Sequence, residues 1–487
     1  MNEISPQKLR GGYYTPQPIA KFIADWAIQS KPDKTLEPSC GDGIFLTEAA
    51  KRYLELGLNN KSIPAQLTGI EINKDEASKA IQALKDQNIG MSSANIIHDD
   101  FFNECRNRLN IGERFNVIIG NPPFIRYQNF PENQRQIAIG IMKNAGLKPN
   151  RLMNAWVPFL VGSTLLLKEK SRLGMVIPAE LLQVNYSAEL RKFLSVNYSR
   201  ITLIAFKKLL FENVQQEILL FLGEKNGKER TGIRTIELDT MTDLASYEHS
   251  DFSKSRLKPI DHSMEKWTQY FLSTDEIMLL RRLRKNPKIT RLSDIAQVDV
   301  GIVTGENNFF ILSQKNIKEL SLNKYTKPIV ARSAHLTGIL FSKEQFKQNE
   351  NANYPTRLFY PPEIPFENLP EPVKKYITMG EQQGYQTGFK CRIRDNWYIV
   401  PSIWTPDAFM LRQISSYPKV ILNSTQATST DTIHRVKMNA NIQPDILIAS
   451  FHNSLTFAFA EVFGRSYGGG VLELEPREAE ALLLLTT

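Results

Sequence analysis

At 487 residues, the chain is long enough to form two or three domains with a large hydrophobic core. Its 60 Lys and Arg against 51 Asp and Glu give a net charge of +9, which favours a polyanionic partner, although solvated faces account for most charged runs. The three cysteines form no Cys-x-x-Cys pair and the six histidines no His-x-x-x-His pair, which favours a reducing compartment and gives a metal site little support. No apolar run approaches the ~20 residues that span a bilayer, and Met1–Lys21 has no signal-peptide core. We therefore expect a cytoplasmic protein without a membrane partner.

The first predicted helix begins at Thr15-Pro16, where a Thr cap is followed by Pro in the first turn. Apolar residues then repeat on one helical face, at Ile19, Phe22, Ile23, Trp26 and Ala27. Tyr14 and Thr15 stand directly before this helix. They are therefore placed to close over a ligand that lies on the next turn of the chain.

Residues 35–46 predict a strand, a glycine turn and the start of a helix. Gly41 and Gly43 let the main chain of this turn approach a ligand closely, and Glu37 and Ser39 stand just before them. The turn lacks the Gly-x-Gly-x-x-Gly spacing of dinucleotide sites, and no phosphate-binding Lys follows. Cys40 lies within it, where a small apolar side chain is a better explanation than a nucleophile.

The next two predicted strands also end in polar residues. Leu67–Ile72 has Glu71 next to its last residue, and the carboxylate of Glu71 can accept hydrogen bonds from both hydroxyls of a ribose. Ala94–His98 leads into Asp100 and Phe101, which offer a carboxylate to an adenine amino group and an aromatic face to its ring. Ligands of open α/β sheets bind at the carboxyl ends of the strands, so these residues predict one shared site.

A fourth strand ends in the segment Asn121-Pro122-Pro123-Phe124. The amide oxygen of Asn121 and the carbonyl of Pro122 can both accept hydrogen bonds from an amine that is conjugated to a flat ring, which frees its lone pair for alkylation. Two prolines hold the loop rigid, and Phe124 can stack on the ring. An ordinary turn at the end of a strand is the alternative, because Asn-Pro often starts turns.

The first half of the chain therefore predicts an α/β domain with a mostly parallel sheet. Helices are expected at Leu152–Lys170 and Tyr186–Val196. The short link between the last two strands predicts an antiparallel hairpin at the sheet edge, and thus seven strands with one reversed. The predicted strands are Thr35–Glu37, Leu67–Ile72, Ala94–His98, Asn116–Gly120, Leu173–Ile177, Ile201–Phe206 and Glu217–Leu222.

These motifs, in this order, resemble the S-adenosylmethionine-dependent N6-adenine DNA methyltransferases of the gamma class, where a target-recognition domain follows the catalytic loop. The resemblance begins at Gly11–Pro16 and covers the first half of the chain. It implies a Rossmann-like sheet and S-adenosylmethionine as cofactor. The implied cofactor-binding residues are Tyr14, Thr15, Glu37, Ser39, Gly41, Gly43, Glu71, Ile72, Asp100, Phe101 and Asn121.

The implied catalytic residues are those of the loop Asn121, Pro122, Pro123 and Phe124, where the family has either Tyr or Phe at the fourth position. Leu210–Gln215 resembles a later motif of the family, whose aromatic residue packs on the flipped adenine. This makes Phe211 a candidate for the same role, with a core position at a strand entrance as the alternative.

Strand signals stop near Met241–Gln269, which places a catalytic domain at residues 1–245 and a mixed α+β target-recognition domain at 246–487. In the second domain, Ser273–Glu276 predicts a capping box. The Gly-x-x-Thr-Gly turn at Gly301 and the triple glycine at 468–470 resemble the scaffold of a recognition domain. The candidates for contact with a DNA groove are the interleaved cations and aromatics Lys390, Arg392, Arg394, Trp397 and Tyr398.

The sequence thus predicts a site-specific DNA methyltransferase that acts on the N6 amino group of an adenine flipped out of duplex DNA. A restriction–modification system with a cognate endonuclease as partner is implied by the resemblance alone. The same Asn-Pro-Pro loop also serves enzymes that methylate RNA or a protein glutamine, which is the nearest alternative. A nuclease–methyltransferase is disfavoured because no acidic metal cluster is found and little sequence precedes Gly11. A non-catalytic DNA-binding module would have no use for Glu71, Asp100 and an intact Asn121 loop.

Overall fold

The computed structural model divides the chain into two compact units, Met1–Ile277 and Met278–Thr487. The predictions on Gly11–Tyr13, on Phe211 and on the triple glycine at 468–470 lie outside the described residues. The structure describes residues 14–150, 153–207, 217–225, 231–247, 252, 255–262, 265–439, 442–467 and 471–485.

The first unit is built on a sheet that has eight strands in the described residues, in the order β3-β2-β1-β4-β5-β7-β6-β8. Only β7 runs against its neighbours β5 and β6, and the other adjacent strands in this described sheet pair in parallel. The strands are β1 Thr35–Glu37, β2 Leu67–Glu71, β3 Ile96–His98, β4 Phe115–Gly120, β5 Leu167–Pro178, β6 Arg200–Phe206, β7 Ile218–Glu224 and β8 Gly232–Leu238.

All seven predicted strands are present, and the α/β fold class is confirmed. The antiparallel pair β6–β7 is also as expected, but the reversed strand lies inside the sheet, between β5 and β6. An eighth strand, β8, extends the sheet by pairing in parallel with β6 from Arg200↔Gly232 to Phe206↔Leu238. The helix predicted at Leu152–Lys170 is shorter, because the chain joins β4 at Phe115↔Leu167 and continues as β5.

Helices cover the sheet, and side chains cap some of their first turns. The cap predicted at Thr15 is wrong, because Pro16 occupies the N-cap position of the first helix and no side chain caps it. Asn73 accepts hydrogen bonds from the N–H groups of Asp75 and Glu76, and Asp100 caps the helix that follows β3 in the same way. The helices of this unit are α1 Gln17–Ala27, α2 Ile44–Glu55, α3 Lys74–Lys85, α4 Phe101–Asn110, α5 Glu132–Asn144, α6 Trp156–Leu166, α7 Glu180–Gln183, α8 Ala188–Asn197 and α9 Met241–Ser246.

The segment after α9 packs onto this first unit. Phe252, Trp267 and Tyr270 are buried in its hydrophobic core. The main chain of Lys258 also pairs with that of Ile233 in β8, with 2.8 Å hydrogen bonds in both directions. The compact unit therefore continues beyond residue 245, where the sequence-based boundary was placed, and the division into a catalytic and a recognition domain stays a prediction.

The second unit is mixed α+β. It contains a sheet of order β10-β19-β15-β17-β13 and another of order β11-β14-β12-β18, both within the described residues. Its strands are β9 Ile289–Arg291, β10 Ala296–Asp299, β11 Ile311–Ser313, β12 Thr326–Val330, β13 Leu340–Phe341, β14 Pro355–Phe359, β15 Ala408–Leu411, β16 Gln413–Ile414, β17 Val420–Asn423, β18 Thr428–Ser429, β19 Ile433–Met438, β20 Arg465–Tyr467, β21 Val471–Glu473 and β22 Leu483–Leu485.

The division between the units falls inside α10, whose predicted capping box is present: Ser273 N–H donates to Glu276 Oε2 at 2.7 Å, and Glu276 N–H donates to Ser273 Oγ at 3.3 Å. This helix and those after it are α10 Thr274–Leu283, α11 Leu292–Ile295, α12 Asn307–Phe310, α13 Gln314–Glu319, α14 Lys343–Asn351, α15 Glu371–Gln382, α16 Phe389–Arg392, α17 Pro444–Phe451, α18 Ser454–Phe463 and α19 Pro476–Glu480. In the described part of the chain, no single helix has both the length and the apolar composition to cross a bilayer; α17 and α18 reach them only together, with an 83° bend between them.

Candidate active site

The carboxyl ends of β1, β2, β3 and β4 surround a cavity of about 410 Å³ in the first unit. Both polar and apolar side chains line it. Nine residues predicted for the site line it: Tyr14, Ser39, Gly41, Glu71, Ile72, Asp100, Phe101, Asn121 and Pro123. The strand-end motifs therefore meet in one place, as expected for an open α/β sheet.

The two glycines of the turn after β1 have different neighbours. Gly43 has φ +88° and precedes α2, and a Cβ there would lie 2.8 Å from the Cβ of Ala80 on α3. Gly41 has φ +51°, and a Cβ there would meet no atom within 4 Å. Gly43 thus serves close packing between elements, whereas Gly41 borders open space on the cavity side.

Glu71 accepts hydrogen bonds from both the glycine turn and the turn after β2. Its Oε2 accepts the N–H of Gly41 at 2.9 Å, and its Oε1 accepts the N–H of Asn73 at 2.8 Å. Burial raises the pKa of Glu71, and these two hydrogen bonds oppose that rise. Each carboxylate oxygen retains a second lone pair, so a diol in the cavity can donate to both.

Asp100 and Phe101 stand at the start of α4. Asp100 Oδ1 caps the helix by accepting the N–H groups of Phe102 and Asn103 at 2.8 and 3.3 Å, which leaves Oδ2 as the oxygen for a ligand. Burial raises the pKa of this carboxyl group. The ring of Phe101 stacks on Phe159 with a centroid distance of 4.7 Å, so one of its faces is already covered.

The catalytic-loop candidate Asn121 is held from two sides. Its Nδ2 donates to Thr15 Oγ1 at 3.1 Å, and its main-chain carbonyl accepts from Ser39 Oγ at 3.3 Å. The hydrogen bond to Thr15 fixes the amide plane with Nδ2 toward Thr15, so Oδ1 lies on the opposite side of the amide group. An acceptor oxygen with a fixed orientation is what the activation of a conjugated amine requires.

Five other predicted site residues in the described part of the chain do not line the cavity, and one of them is Thr15, whose hydroxyl oxygen accepts from Asn121 Nδ2. Phe124 is buried, with 9% of its surface exposed, and Pro122 is buried beside it. Gly43 lies against α3, and Glu37 is buried beneath the turn, where burial and the charge of Asp42 raise the pKa of its carboxyl well above the ordinary value. The roles predicted for these residues, and for all the site residues, stay predictions.

Sequence reasoning did not anticipate several residues of the cavity wall. One of them is Glu76: the hydroxyl of Tyr14 donates to both of its carboxylate oxygens at 3.3 Å, and Lys79 binds the same carboxylate at 2.8 Å. Phe159 of α6 and Phe130 also line the cavity. The position of Glu76 in the first turn after β2 was a usable signal, but nothing in the sequence connects Phe159 to this site.

In the second unit, the cation and aromatic candidates separate into two groups. Tyr398 is buried, and Trp397 packs 4.7 Å from the Phe309 ring, with its Nε1 donating to Glu381. Arg394 donates to the carbonyl of Val303 at 2.8 Å. Lys390 and Arg392 are exposed. Lys390 and Arg392 are thus the exposed members of the five, whereas Arg394 and Trp397 are half-buried and Tyr398 is buried.

Comparison with known proteins identifies the family. The model described as "N-6 DNA Methylase" matches residues 3–303, and that described as "Type II methyltransferase M.Eco57I, C-terminal domain" matches residues 264–487. The chain belongs to the N-6 DNA methylase family. The predicted class, an adenine-specific DNA methyltransferase of restriction–modification type, is confirmed.

Curated relatives and solved structures are similar along much of the chain. Type II methyltransferase M.AccI of Acinetobacter calcoaceticus is 23% identical, over 97% of this chain and 85% of its own length. M.HindII of Haemophilus influenzae (strain ATCC 51907 / DSM 11121 / KW20 / Rd) is 25% identical, over 68% of this chain, and the chain spans only 60% of that relative. The Type IIL restriction-modification enzyme MmeI in complex with DNA shares the fold, at a TM-score of 0.59 and 14% identity over 93% of this chain and 62% of MmeI.

Proposed function

We propose that this protein transfers a methyl group from S-adenosylmethionine to the N6 amino group of an adenine flipped out of a specific site in duplex DNA, as the protective half of a restriction–modification system. The observation that carries the proposal is the fixed amide of Asn121 at the wall of a cavity that also contains Glu71 and Asp100. Membership of the N-6 DNA methylase family agrees with it. Such an enzyme acts on chromosomal DNA, which places it in the cytoplasm.

The cavity fits the proposed cofactor. Glu71 presents two carboxylate oxygens that suit the ribose hydroxyls, and Asp100 Oδ2 suits the amino group of an adenine. Ile72, with 53% of its surface exposed at the cavity, offers an apolar contact for the same ring. The open space beside Gly41 leaves room for the amino-acid end of the ligand. S-adenosylmethionine supplies a methyl group that is already activated as part of a sulfonium.

The loop of Asn121 would prepare the acceptor. Its Oδ1 and the carbonyl of Pro122 accept hydrogen bonds from the two N–H groups of the target amine, which draws the nitrogen toward tetrahedral geometry. Thr15 keeps the amide from rotating away from this orientation. No base is required before transfer, since the amine becomes acidic only after methylation. The chain therefore contributes mainly position and orientation.

The target amine is inaccessible within a duplex, so its nucleotide must leave the stack. Aromatic surfaces near the pocket would replace part of the lost stacking, which is worth about 1–3 kcal/mol per base in single-strand binders. Phe124 is the candidate adjacent to Asn121. Because its ring is mostly buried here, this role requires the loop to expose one face of the ring when the base enters.

The deciding experiment measures transfer of labelled methyl from S-adenosylmethionine to unmethylated duplex DNA, followed by nucleoside analysis and single-molecule sequencing. We expect N6-methyladenine at one fixed position within a short motif. The variant Asn121→Ala should lower the single-turnover rate about 100-fold or more while DNA binding persists. Label in RNA or in a protein glutamine instead of DNA would mean that the substrate was assigned wrongly. Binding without turnover by the parent protein would favour a non-catalytic module.

A further inference from the structure

Two large apolar side chains of the second unit, Phe389 and Ile393, are exposed in the described structure. Phe389 and Ile393 have 64% and 61% of their surfaces exposed. Phe389 begins α16 and Ile393 directly follows its last residue, four positions later, a spacing that places two side chains on the same side of a helical turn. Leaving two large apolar side chains in water forgoes the burial energy that a folded chain usually gains from them.

The pair sits on a firmly anchored support. Cys391, between the two exposed residues, is fully buried in the core that contains Phe309 and Tyr376. Arg394 donates to the carbonyl of Val303 at 2.8 Å and so joins this segment to the turn that ends at Gly305. A rigid protrusion loses little conformational entropy when it binds a partner.

The surroundings of the pair are basic. Lys390 and Arg392 are both exposed and alternate with the apolar residues along the chain. The ammonium of Lys390 lies 5.8 Å from the centre of the Phe389 ring. Cations that flank apolar side chains suit a ligand whose phosphates lie beside apolar groups on base edges, such as the thymine methyl in the major groove, which is the chemistry of duplex DNA rather than that of an acidic protein surface.

We propose that this α16 face, made of Phe389, Lys390, Arg392 and Ile393, contacts the target duplex, with Phe389 and Ile393 against the bases in a groove and Lys390 and Arg392 on the flanking phosphates. The proposal rests on the function proposed above, since it needs DNA as the substrate. It differs from the sequence-based assignment, because Trp397 and Tyr398 support the protein core and the exposed apolar residues contact the bases.

The test compares binding of unmethylated duplex DNA by the parent protein and by the double variant Phe389→Ala/Ile393→Ala, using a fragment that the parent methylates. The double variant should bind roughly tenfold or more weakly, with an unchanged slope of log K against log salt concentration. Lys390→Ala and Arg392→Ala should each reduce that slope by about one. S-adenosylmethionine binding to the first unit should stay the same in all of them.

Two control variants match the changes. Ile111→Ala removes an even more exposed apolar side chain from the first unit, and Lys315→Ala removes an exposed cation from the second. Both should bind DNA as the parent does. Normal DNA binding and methylation by the double variant would overturn the inference while leaving the proposed function intact. A parent protein that dimerises through this face, shown by sedimentation and lost in the double variant without any effect on DNA binding, would also overturn it.

Discussion

The side-chain nitrogen of Asn121 lies 3.1 Å from the hydroxyl oxygen of Thr15, which is 106 residues away in the sequence. Thr15 precedes α1, and Asn121 follows β4. The hydrogen bond therefore connects the segment before α1 with the loop that is proposed to activate the target amine. Through it, the amide acquires its orientation before any substrate is present.

We predict that Thr15→Val, which keeps the shape of the side chain but removes the acceptor oxygen, lowers the single-turnover methylation rate roughly tenfold. Thr15→Ser should retain most of the rate, because its hydroxyl can still accept from Asn121. The measurement is rapid-quench methylation with both variants saturated in cofactor and DNA. Equal rates for Thr15→Val and the parent would show that the amide orientation has another source.

The two glycines of the first turn should respond differently to an added methyl group. Gly43→Ala forces a Cβ to within 2.8 Å of Ala80, and we expect it to lower the free energy of unfolding by about 1–3 kcal/mol more than Gly41→Ala does. Both substitutions also place Ala at a positive φ. Gly41→Ala should instead weaken cofactor binding, because its Cβ enters the open side of the turn. Urea unfolding and calorimetric titration separate these effects.

Cofactor affinity should fall as the solution is made more acidic. The fall should begin at a higher pH than it would for a carboxylate with an ordinary pKa. Burial raises the pKa of Glu71, and only the ionised carboxylate offers acceptors for a diol on both oxygens. The dissociation constant of S-adenosylmethionine should thus increase as the pH falls through this raised pKa. Glu71→Gln should bind weakly throughout and show less pH dependence, with a remainder from Asp100, whose pKa burial also raises. Glu55→Gln on the surface is the control, and its pH profile should match that of the parent.

The buried carboxyl of Glu37 should make the protein lose stability as the pH rises above the ordinary range of a carboxyl group. Its pKa is raised well above the ordinary value by burial, so the folded state holds its proton more tightly than the unfolded chain does. The stabilisation is complete below the ordinary carboxyl pKa and is lost as the pH rises through the raised one. Glu37→Gln should flatten this decline, as measured by chemical unfolding at a series of pH values. A variant with the same decline as the parent would place the titration on another group.

The sequence located the site because its residues stand at strand ends, where chain order alone determines that they meet. It could not place Phe101 against Phe159, since that contact depends on how α6 crosses the sheet. The eighth strand escaped prediction because Ile233, Ile236 and Leu238 do not alternate regularly with polar residues. In the second unit, the adjacency of cations and aromatics suggested one binding surface, whereas Trp397 is half-buried against Phe309 and Tyr398 is buried.

Because Trp267 and Tyr270 pack in the core of the first unit, they limit where the chain can be truncated. A fragment ending at residue 245 would lose these side chains and the main-chain pairing between Lys258 and Ile233. The outer edge of β8 and the apolar residues that pack against Trp267 would then be exposed to water. Unpaired strand edges can pair with other chains, so we expect this fragment to aggregate. A fragment that continues through α10 keeps both covered. Limited proteolysis should accordingly yield a stable amino-terminal core that retains its tryptophan at position 267.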